Sequence, residues 1–363
     1  MKPNLRNLTI EEIKEAFLPL QEAPYRAKQI YHWITTKCAL SFDEMTDLPK
    51  TLREKLKNNF TLSLPEIINS LSDDEGTIKF ALRLADNEVI EMVLIPERDH
   101  YTLCVSTQVG CAMGCKFCLT AKSGFKRNLE VYEIISQVVI AKRYLKEKGI
   151  ELPLRNIVFM GMGEPLANYE NLVKALKILA DKEGFNFSKK RLTVSTVGLV
   201  EKIYQLAKEF PTALAISLHA PYDELRKELM PIAKKYPLAS LLECIKTFPR
   251  IKKGRHTIEY VLIKGINDSL KEAQALYKLL KGLPIKINLI PFNPHPELPF
   301  ERPEDKTIED FQRFLLSKGI LTTVRKSKGL KISAACGHLS ARFREFQNHN
   351  FHKSFSPLAC SVV

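Results

Sequence analysis

Three closely spaced cysteines are the residues of this chain with the most evident capacity for chemistry. Cys111, Cys115 and Cys118 follow a C-x3-C-x2-C pattern within the stretch VGCAMGCKFC at positions 109–118. Three thiolates on one short loop can hold one metal centre, and Gly110 and Gly114 allow the backbone to turn tightly around it. Zinc and iron–sulfur sites normally have four protein ligands. Either a distant residue completes the site, or one metal is left open for a small molecule. We expect the open position.

The spacing argues against two common cysteine sites. A structural zinc site usually has two separated ligand pairs, and the sequence contains no second C-x2-C, so zinc would need a remote cysteine or histidine. A ferredoxin-like electron carrier would need four cysteines for each cluster. A [4Fe–4S] cluster on three thiolates leaves one iron free to bind a small molecule, and this is the interpretation that we favour.

The overall composition is that of a soluble globular protein. The 363 residues are 45% hydrophobic and 26% charged, and this length suggests about two domains. The eight cysteines are too few for a disulfide scaffold, and neither a signal peptide nor an apolar run long enough for a membrane span is evident, so we expect a cytoplasmic protein. The net charge of +14, from 55 Lys+Arg against 41 Asp+Glu, favours a polyanionic partner such as nucleic acid.

The first hundred residues predict two small units. Residues 1–75 read as a helical accessory domain with a basic face, with helices that start after the capping residue Thr9, near 25–33 and near 48–60. Residues 76–98 predict a β-hairpin linker, because 77–84 and 88–95 alternate around Asp86-Asn87. Glu91 lies within the second of these strands, where a single acid ordinarily faces outward.

A repeated strand–loop–helix pattern then predicts a partial (β/α)6 barrel over residues 99–345, within an α/β fold, followed by a flexible tail at 346–363. Strands are predicted at 101–106, 155–160, 191–195, 212–218, 256–263 and 285–291. Helices are predicted near 130–147, 169–182, 198–209, 238–248, 269–281 and 305–318. A short strand near 321–325 and a further helix after the loop AACG at 334–337 are also expected.

Polar and small residues cluster where the predicted strands end. The cysteine loop follows the first strand, GMGEP at 161–165 follows the second, and Ser195, the run Ser217 to His219 and Asn293 close later strands. The carboxyl ends of parallel strands meet on one face of a barrel, where ligands bind. Each signal is weak alone, but their joint placement on one face predicts a single site.

The cysteine motif, with the aromatic Phe117 before its last cysteine, resembles the signature of the radical S-adenosylmethionine (radical SAM) enzymes. The Gly-Glu-Pro run at 163–165 is similar to the second motif of that superfamily. The resemblance implies a [4Fe–4S] cluster whose open iron is chelated by the amino and carboxylate groups of SAM. It also implies that an electron from the cluster cleaves SAM and releases a deoxyadenosyl radical.

A longer set of motifs narrows the resemblance to the RlmN family, which methylates C2 of adenine in large-subunit ribosomal RNA and in transfer RNA. The segments that carry it are TLCVSTQVGC at 102–111, GMGEPLAN at 161–168, ISLHA at 216–220, AACG at 334–337, SFDEMTDLPK at 41–50 and IPE at 95–97. The resemblance extends from about residue 10 to about residue 345. It implies one SAM-bound cluster, an RNA substrate and an external, flavodoxin-type electron donor. We expect a monomer in which the basic helices of the accessory domain at 1–75 bind the RNA phosphates.

The resemblance assigns roles to individual residues. Cys336 takes a methyl group from one SAM and carries it as S-methylcysteine, and the radical from a second SAM activates that methyl for addition to C2. Cys104 would then resolve the covalent RNA adduct through a transient disulfide with Cys336, and parity along the first strand places Thr102, Cys104 and Ser106 on one face. Glu91 is the implied acceptor of the C2 proton, although Cys104 could also take it.

The remaining implied contacts are to SAM. The residues are Gly163, Glu164, Ser195, Ser217, Leu218, His219 and Asn293. Two positions beside Cys336 depart from the family pattern, since Ser333 replaces an acidic or amide residue and His338 replaces Gln. Cys38, Cys244 and Cys360 match no motif.

Three alternatives stay open at this point. The nearest is the sister activity that methylates adenine at C8 with the same cysteines, against which Ile95-Pro96-Glu97 argues. A non-catalytic iron–sulfur module would bind RNA and leave SAM intact. A radical activase acting on a protein would need neither the pair Cys104 and Cys336 nor the basic charge.

Overall fold

The N-terminal part of the molecule is a small helical bundle. The computed structural model describes residues 2–325 and 328–340, and its first helices are α1 (Ile10–Phe17), α2 (Pro24–Thr35) and α3 (Lys50–Asn59). Helix α1 begins with a capping box in which the Thr9 hydroxyl and the Glu12 carboxylate each accept from the other residue's backbone N–H. Ile13, Ile30 and Leu56 are fully buried where the three helices meet. The three predicted helices are confirmed.

The bundle is fixed to the rest of the chain by polar contacts. The backbone N–H of Tyr132 donates to Asn7 Oδ1 at 2.7 Å, and Lys174 pairs with Glu12 at 2.7 Å. On another side, the Arg143 guanidinium lies 3.2 Å from the Glu44 carboxylate. The accessory unit therefore packs against the outer helices of the barrel.

The expectation of helical structure throughout residues 1–75 is wrong for its last part. Strand β1 (Glu66–Ser72) pairs antiparallel with β2 (Ile78–Arg83), which pairs antiparallel with β3 (Val89–Pro96). The predicted hairpin is thus confirmed and extended by one strand. The side chains of β1 are only partly buried, which gives this edge strand a weak apolar pattern in the sequence.

The predicted partial barrel is confirmed in type and order. Its strands are β4 (Tyr101–Cys104), β5 (Gln108–Gly110), β6 (Phe125–Asn128), β7 (Leu154–Phe159), β8 (Leu192–Thr196), β9 (Ala213–Ser217), β10 (His256–Leu262), β11 (Ile285–Pro291) and β12 (Thr322–Val324). Its helices are α4 (Leu119–Lys122), α5 (Val131–Glu147), α6 (Tyr169–Ala180), α7 (Val200–Glu209), α8 (Asp223–Leu229), α9 (Leu238–Thr247), α10 (Leu270–Leu280) and α11 (Asp305–Ser317).

One continuous sheet joins the hairpin to the barrel. Within the described residues it has ten strands in the order β1-β2-β3-β4-β7-β8-β9-β10-β11-β12, and from β4 onward all neighbours are parallel. Burial alternates along β8, where Leu192 and Val194 are fully buried against the helices and Ser195 is only partly covered on the other face. The outer face of the sheet packs against the helices to form the core, and the inner face lines the candidate site.

Three features near the cysteine loop were not predicted. The short helix α4 follows Cys118 directly, strands β5 and β6 form a separate two-stranded antiparallel sheet, and the short helix α8 lies between β9 and α9. The helix expected after AACG and the tail at 346–363 lie outside the described residues. Among the residues that are described, no helix is both long enough and apolar enough to cross a bilayer.

Candidate active site

The cysteine loop is closed by the β5–β6 pair. The Cys111 N–H donates to the Gly124 carbonyl at 2.8 Å, so the two ends of the loop meet. Gly110 has a φ of +74°, and a Cβ there would lie 1.7 Å from the Gly124 oxygen. Glycine is therefore required at this position for both conformation and space. Cys115 is buried, whereas Cys111 and Cys118 are partly exposed.

The thiols of the loop are electrostatically coupled. Burial raises the pKa of Cys111 to about 12 and raises that of Cys115 well above its usual value, and the neighbouring Cys118 thiol raises both further. Three thiolates in one desolvated volume are unfavourable unless a cationic centre binds them. This donor set fits the iron–sulfur cluster, because each thiolate binds its own iron atom. In the described residues, no three His, Cys, Asp or Glu side chains are placed to share a single metal ion.

A cavity of about 170 Å³ opens beside the cysteine loop at the carboxyl ends of the parallel strands. Its lining includes Cys118 and most of the predicted SAM contacts, namely Gly163, Glu164, Ser195, Ser217, His219 and Asn293. Leu218 is the exception: its side chain is fully buried away from the cavity because strand parity turns it to the opposite face from Ser217. The structure thus brings together six residues that the sequence separates by up to 130 positions.

Glu164 presents a buried carboxyl group to this cavity. Its Oε1 accepts from the Leu166 N–H at 3.0 Å, and its Oε2 accepts from the Val197 N–H at 2.9 Å. Burial raises its pKa to about 7, and these hydrogen bonds oppose the rise. A carboxylate held in this way is suited to bind a cationic amino group, because the cation offsets the cost of desolvation.

His219 is a neutral, structural part of the cavity wall. Its Nδ1 accepts from the Val261 N–H at 2.9 Å, and burial lowers its pKa to about 3. Its ring packs edge-on against Phe117 of the cysteine loop, with ring centroids 4.9 Å apart. The buried Arg226 was not part of any sequence motif. Its guanidinium supports the backbone beside His219 by donating to the Leu218 carbonyl at 3.2 Å and the Val197 carbonyl at 2.6 Å.

The loop that contains Cys336, which we call the carrier loop (328–340), lies across the cysteine loop. The Leu119 N–H donates to the Gly337 carbonyl at 2.8 Å. A Cβ on Gly337 would lie 3.2 Å from the Phe117 carbonyl oxygen, so the two backbones are in close contact. His338, a departure from the family pattern, lies with its Nε2 3.0 Å from the Asn293 carbonyl and secures the loop to the end of β11.

The hairpin holds the other side of the carrier loop. The Gly329 N–H donates to Asp73 at 3.0 Å, and Lys79 Nζ donates to the Ser333 carbonyl at 3.2 Å. Glu91 is buried rather than outward-facing, with its Oε1 3.1 Å from Lys79 Nζ and its Oε2 accepting from the Ser340 N–H at 2.9 Å. Glu91 therefore anchors the carrier loop, and it does not line the cavity beside the cysteines.

Cys336 lies between two cavities. Besides the cavity already described, it lines a second one of about 320 Å³, which is bounded by Glu97 and Lys328 and is likewise shared by Asn293 and Arg325. Burial raises the pKa of Cys104 to about 12, Cys336 raises it further, and Arg325 opposes the rise. Both cysteines are free thiols. The electrostatic coupling places Cys104, Cys336 and Arg325 in one neighbourhood.

Arg325 is a functional candidate that the sequence motifs do not mark. It follows β12 directly, and its guanidinium interacts most strongly with Cys336, then with Glu259, Cys104 and Glu97, all of which raise its pKa. This cation opposes the rise in the pKa of Cys104 and so favours its thiolate form. In the sequence, the only sign that Arg325 belongs to the site is its position at the end of a predicted strand.

The fold and this arrangement of cysteines define the class as the radical SAM enzymes. Residues 105–279 match the model of the radical SAM superfamily, and residues 3–62 match that of the ribosomal RNA large subunit methyltransferase N-terminal domain. The crystal structure of a radical SAM methyltransferase from Sphaerobacter thermophilus superimposes with a TM-score of 0.89 at 45% identity, covering 94% of this chain and 100% of that one.

Sequence relatives specify the family. The dual-specificity RNA methyltransferase RlmN of a Nitratiruptor species is 48% identical over 93% of this chain and 98% of its own length. That of an Anaeromyxobacter species is 47% identical over 94% of this chain and 91% of its own. The chain belongs to the RlmN family, and the resemblance noted in the sequence is confirmed.

Proposed function

We propose that the protein is a dual-specificity methyltransferase that methylates C2 of adenine in 23S ribosomal RNA, in the peptidyl transferase region, and in the anticodon loop of transfer RNA. The observation that carries this proposal is the position of Cys336 between two cavities. One cavity contains the predicted SAM contacts, and the other opens beside Glu97 and Lys328. A methyl carrier needs this placement, because it must face the methyl donor and the acceptor base in turn.

Cys111, Cys115 and Cys118 would hold the cluster, and Glu164 with Gly163, Ser195, Ser217, Leu218, His219 and Asn293 would hold SAM. When bound, the cluster and SAM supply the methyl group and the deoxyadenosyl radical, with two SAM used in each turnover. C2 of adenine is electron-poor and does not attack a methyl sulfonium as a nucleophile, so the reaction needs this radical route.

The chain's own residues would then carry the methyl group. Cys336 receives the methyl on Sγ and presents it to the base, beside the Arg325 guanidinium. The Cys104 thiolate attacks Cys336 Sγ and breaks the bond from that sulfur to the RNA-bound methylene, which keeps the electron pair and takes up a proton to become the methyl group. The Cys104–Cys336 disulfide that remains is opened by an external reductant. The C2 proton goes to Glu91 or to Cys104. The external electron donor of the enzyme is of the flavodoxin type, and the protein acts as a monomer in the cytoplasm.

Nucleoside mass spectrometry tests the product directly. Ribosomal and transfer RNA from cells that lack the protein should lose 2-methyladenosine, and the purified enzyme with SAM and reductant should restore it. Formation of 8-methyladenosine would assign the enzyme to the sister activity instead. RNA binding with no cleavage of SAM under anaerobic, reducing conditions would identify a non-catalytic module.

Two cysteine variants test the route. We expect Cys104→Ala to accumulate a covalent protein–RNA adduct, because the thiol that resolves it is missing. Cys336→Ala should give neither adduct nor methylated RNA, since the carrier sulfur is missing. A Cys104→Ala enzyme that turned over at the normal rate would remove this residue from the mechanism.

A further inference from the structure

The positive charge of this protein is concentrated in the barrel rather than in the accessory domain. Residues 99–340 contain 39 Lys+Arg against 24 Asp+Glu, a net charge of +15, whereas residues 1–62 contain 10 against 8, a net charge of +2. The basic residues of the accessory domain are also partly neutralised, since Lys55 pairs with Glu22 and Lys57 with Asp43 and Glu54. The charge that would attract a polyanion must therefore be sought on the barrel.

Much of this charge lies at the amino-terminal end of the barrel, opposite the candidate active site. The segments 186–191, 249–255 and 281–286 lead into β8, β10 and β11, and together they contain nine Lys or Arg and no Asp or Glu. Because these strands are parallel, the segments that precede them meet at the same edge of the sheet.

The strand starts surround an open cavity of about 830 Å³, which we call the amino-end basin. Four exposed cationic side chains line it, namely Lys190, Arg250, Arg255 and Lys286. The other polar residues of its lining are Thr193, Thr212, His256 and Thr257, and no carboxylate lines it among the described residues. A neighbouring cavity of about 600 Å³ adds Lys142, Lys146, Arg155 and Arg191, with the single acid Glu151.

The cations of the basin form no close ion pair within the part of the chain that the structure describes; Lys286 interacts only at longer range with the Glu259 carboxylate. Across residues 2–325 and 328–340, neither Lys190, Arg250, Arg255 nor Lys286 forms an ion pair, in contrast to the paired lysines of the accessory domain. Like charges held around one concave surface repel each other and focus a positive potential into it. Arginine side chains also match phosphate oxygens with two parallel hydrogen bonds. The basin is thus suited to a ligand with several phosphates.

We propose that the amino-end basin binds the phosphate backbone of the substrate RNA at a distance from the target adenine; this rests on the proposed function. The strands between the two ends are five to seven residues long, which separates the basin from Cys336 by roughly 20 Å. Only an RNA that extends well beyond the target loop can reach both places. The basin therefore contributes affinity for large, folded RNA and leaves the chemistry at the other end unaltered.

A quadruple variant with a charge-matched control tests this. The test protein is Lys190→Ala/Arg250→Ala/Arg255→Ala/Lys286→Ala, and the control is Lys208→Ala/Lys271→Ala/Lys278→Ala/Lys306→Ala, which removes four exposed lysines from the outer helices α7, α10 and α11. Each is assayed as the holoenzyme on a full-length transfer RNA and on a short stem-loop that carries the same adenine. Binding is measured from 50 to 200 mM KCl.

For the full-length RNA, we expect the test variant to raise KM by roughly tenfold and to reduce the salt slope by about 3, with kcat unchanged. The stem-loop should show no difference, and the control should resemble the wild type on both RNAs. An equal loss on both RNAs, a loss that the control shares, or no loss at all would overturn the proposal. The proposal would also be overturned if inorganic phosphate inhibited methylation more strongly than KCl at equal ionic strength, because the basin would then be a site for a small anion.

Two further readouts keep the test decisive. If the quadruple variant has a lowered thermal midpoint, Arg250→Gln and Arg255→Gln are assayed singly, and each should give a smaller loss confined to the full-length RNA. A wild-type enzyme that methylates neither RNA would refute the proposed function itself. A wild type that methylates both, with a test variant that behaves identically, would refute the basin alone.

Discussion

The two ends of the barrel use charged and nucleophilic groups in opposite ways. At the carboxyl end, the thiols of Cys104 and Cys115 and the carboxyl of Glu164 are buried, and burial raises the pKa of each. At the amino end, Arg250 and Lys286 are exposed, without an ion pair in the described part of the chain. Desolvation makes single groups reactive and specific, whereas exposed charge acts at long range and is screened by salt.

The two ends of the barrel should therefore respond differently to substitution. A change of one atom at the carboxyl end alters the chemistry, because the groups there touch one another through hydrogen bonds and short contacts. Removal of one charge at the amino end lowers RNA affinity only by the share of one contact, because several cations each contribute to binding the phosphates. The following predictions test this contrast, beginning with the largest expected effect.

Gly110→Ala should abolish cluster binding. The new Cβ would lie 1.7 Å from the Gly124 oxygen at a φ of +74°, so the cysteine loop cannot close. Iron and sulfide analysis of anaerobically reconstituted protein should show little of either. Gly124→Ala is the matched control, because Gly124 has a φ of +72° with no atom within 4 Å, so only a strain of about 1 kcal/mol is expected. Equal iron content in both variants would show that the closure of the loop does not matter.

Arg325→Gln should lower the methylation rate about 100-fold, because it removes the cation that faces both Cys336 and Cys104. Arg325→Lys should recover part of the rate by retaining the charge. The pKa of Cys104 is raised to about 12, so its thiolate fraction falls as pH decreases, by about tenfold per pH unit below that value.

The pH dependence separates an electrostatic role of Arg325 from a structural one. Resolution of the covalent adduct should accelerate from pH 7 to pH 9 in the wild type. Because loss of the cation raises the pKa of Cys104 further, the same rate should be reached only at higher pH in Arg325→Gln. A pH profile with unchanged position and a uniformly lower rate would leave Arg325 with a packing role only.

Lys79→Met should destabilise the fold by about 3–5 kcal/mol, because it removes the ammonium group that lies 3.1 Å from the buried Glu91 carboxylate. The thermal midpoint and urea unfolding measure this. In Lys79→Met/Glu91→Leu, most of the stability should return, since no charge is left uncompensated. If the double variant is no more stable than Lys79→Met alone, the hairpin does not hold the carrier loop through this pair.

Salt should distinguish the two ends in the unmodified enzyme. Raising KCl from 50 to 200 mM should weaken RNA binding by roughly tenfold or more, whereas SAM binding should change by less than about twofold, because buried groups are poorly screened. Equilibrium binding of labelled RNA and of SAM to the same anaerobic preparation compares them. A SAM affinity that fell as steeply as the RNA affinity would contradict the contrast between the ends.

The sequence predicted the carboxyl end well because its signals are local or lie at strand ends. Cys111, Cys115 and Cys118 lie in one loop, and the alternation of strands and helices brings Glu164 and Asn293 to the same face. The continuous motif 216–220 does not show that the Leu218 side chain turns away from the cavity, so the contact with SAM predicted for this residue stays a prediction.

Other features could not be predicted because they depend on partners distant in the sequence. Strand β1 has no strong apolar alternation, and pairing with β2 decides its structure. Glu91 looked outward-facing because Lys79, on the neighbouring strand, and Ser340, 249 residues away, are what make its burial tolerable. The amino-end basin is assembled from three separate loops, none of which is unusual alone.

The way the carrier loop crosses the cysteine loop also constrains the order in which the molecule is assembled. The contacts of Leu119 with Gly337 and of Thr120 with Leu339 join segments that are more than 200 residues apart. Such contacts form late in folding, and during synthesis they cannot exist until the last part of the barrel has been made. Throughout that interval Cys111, Cys115 and Cys118 lack the carrier loop beside them, which leaves the cysteine loop more accessible to iron–sulfur delivery than it is in the finished fold.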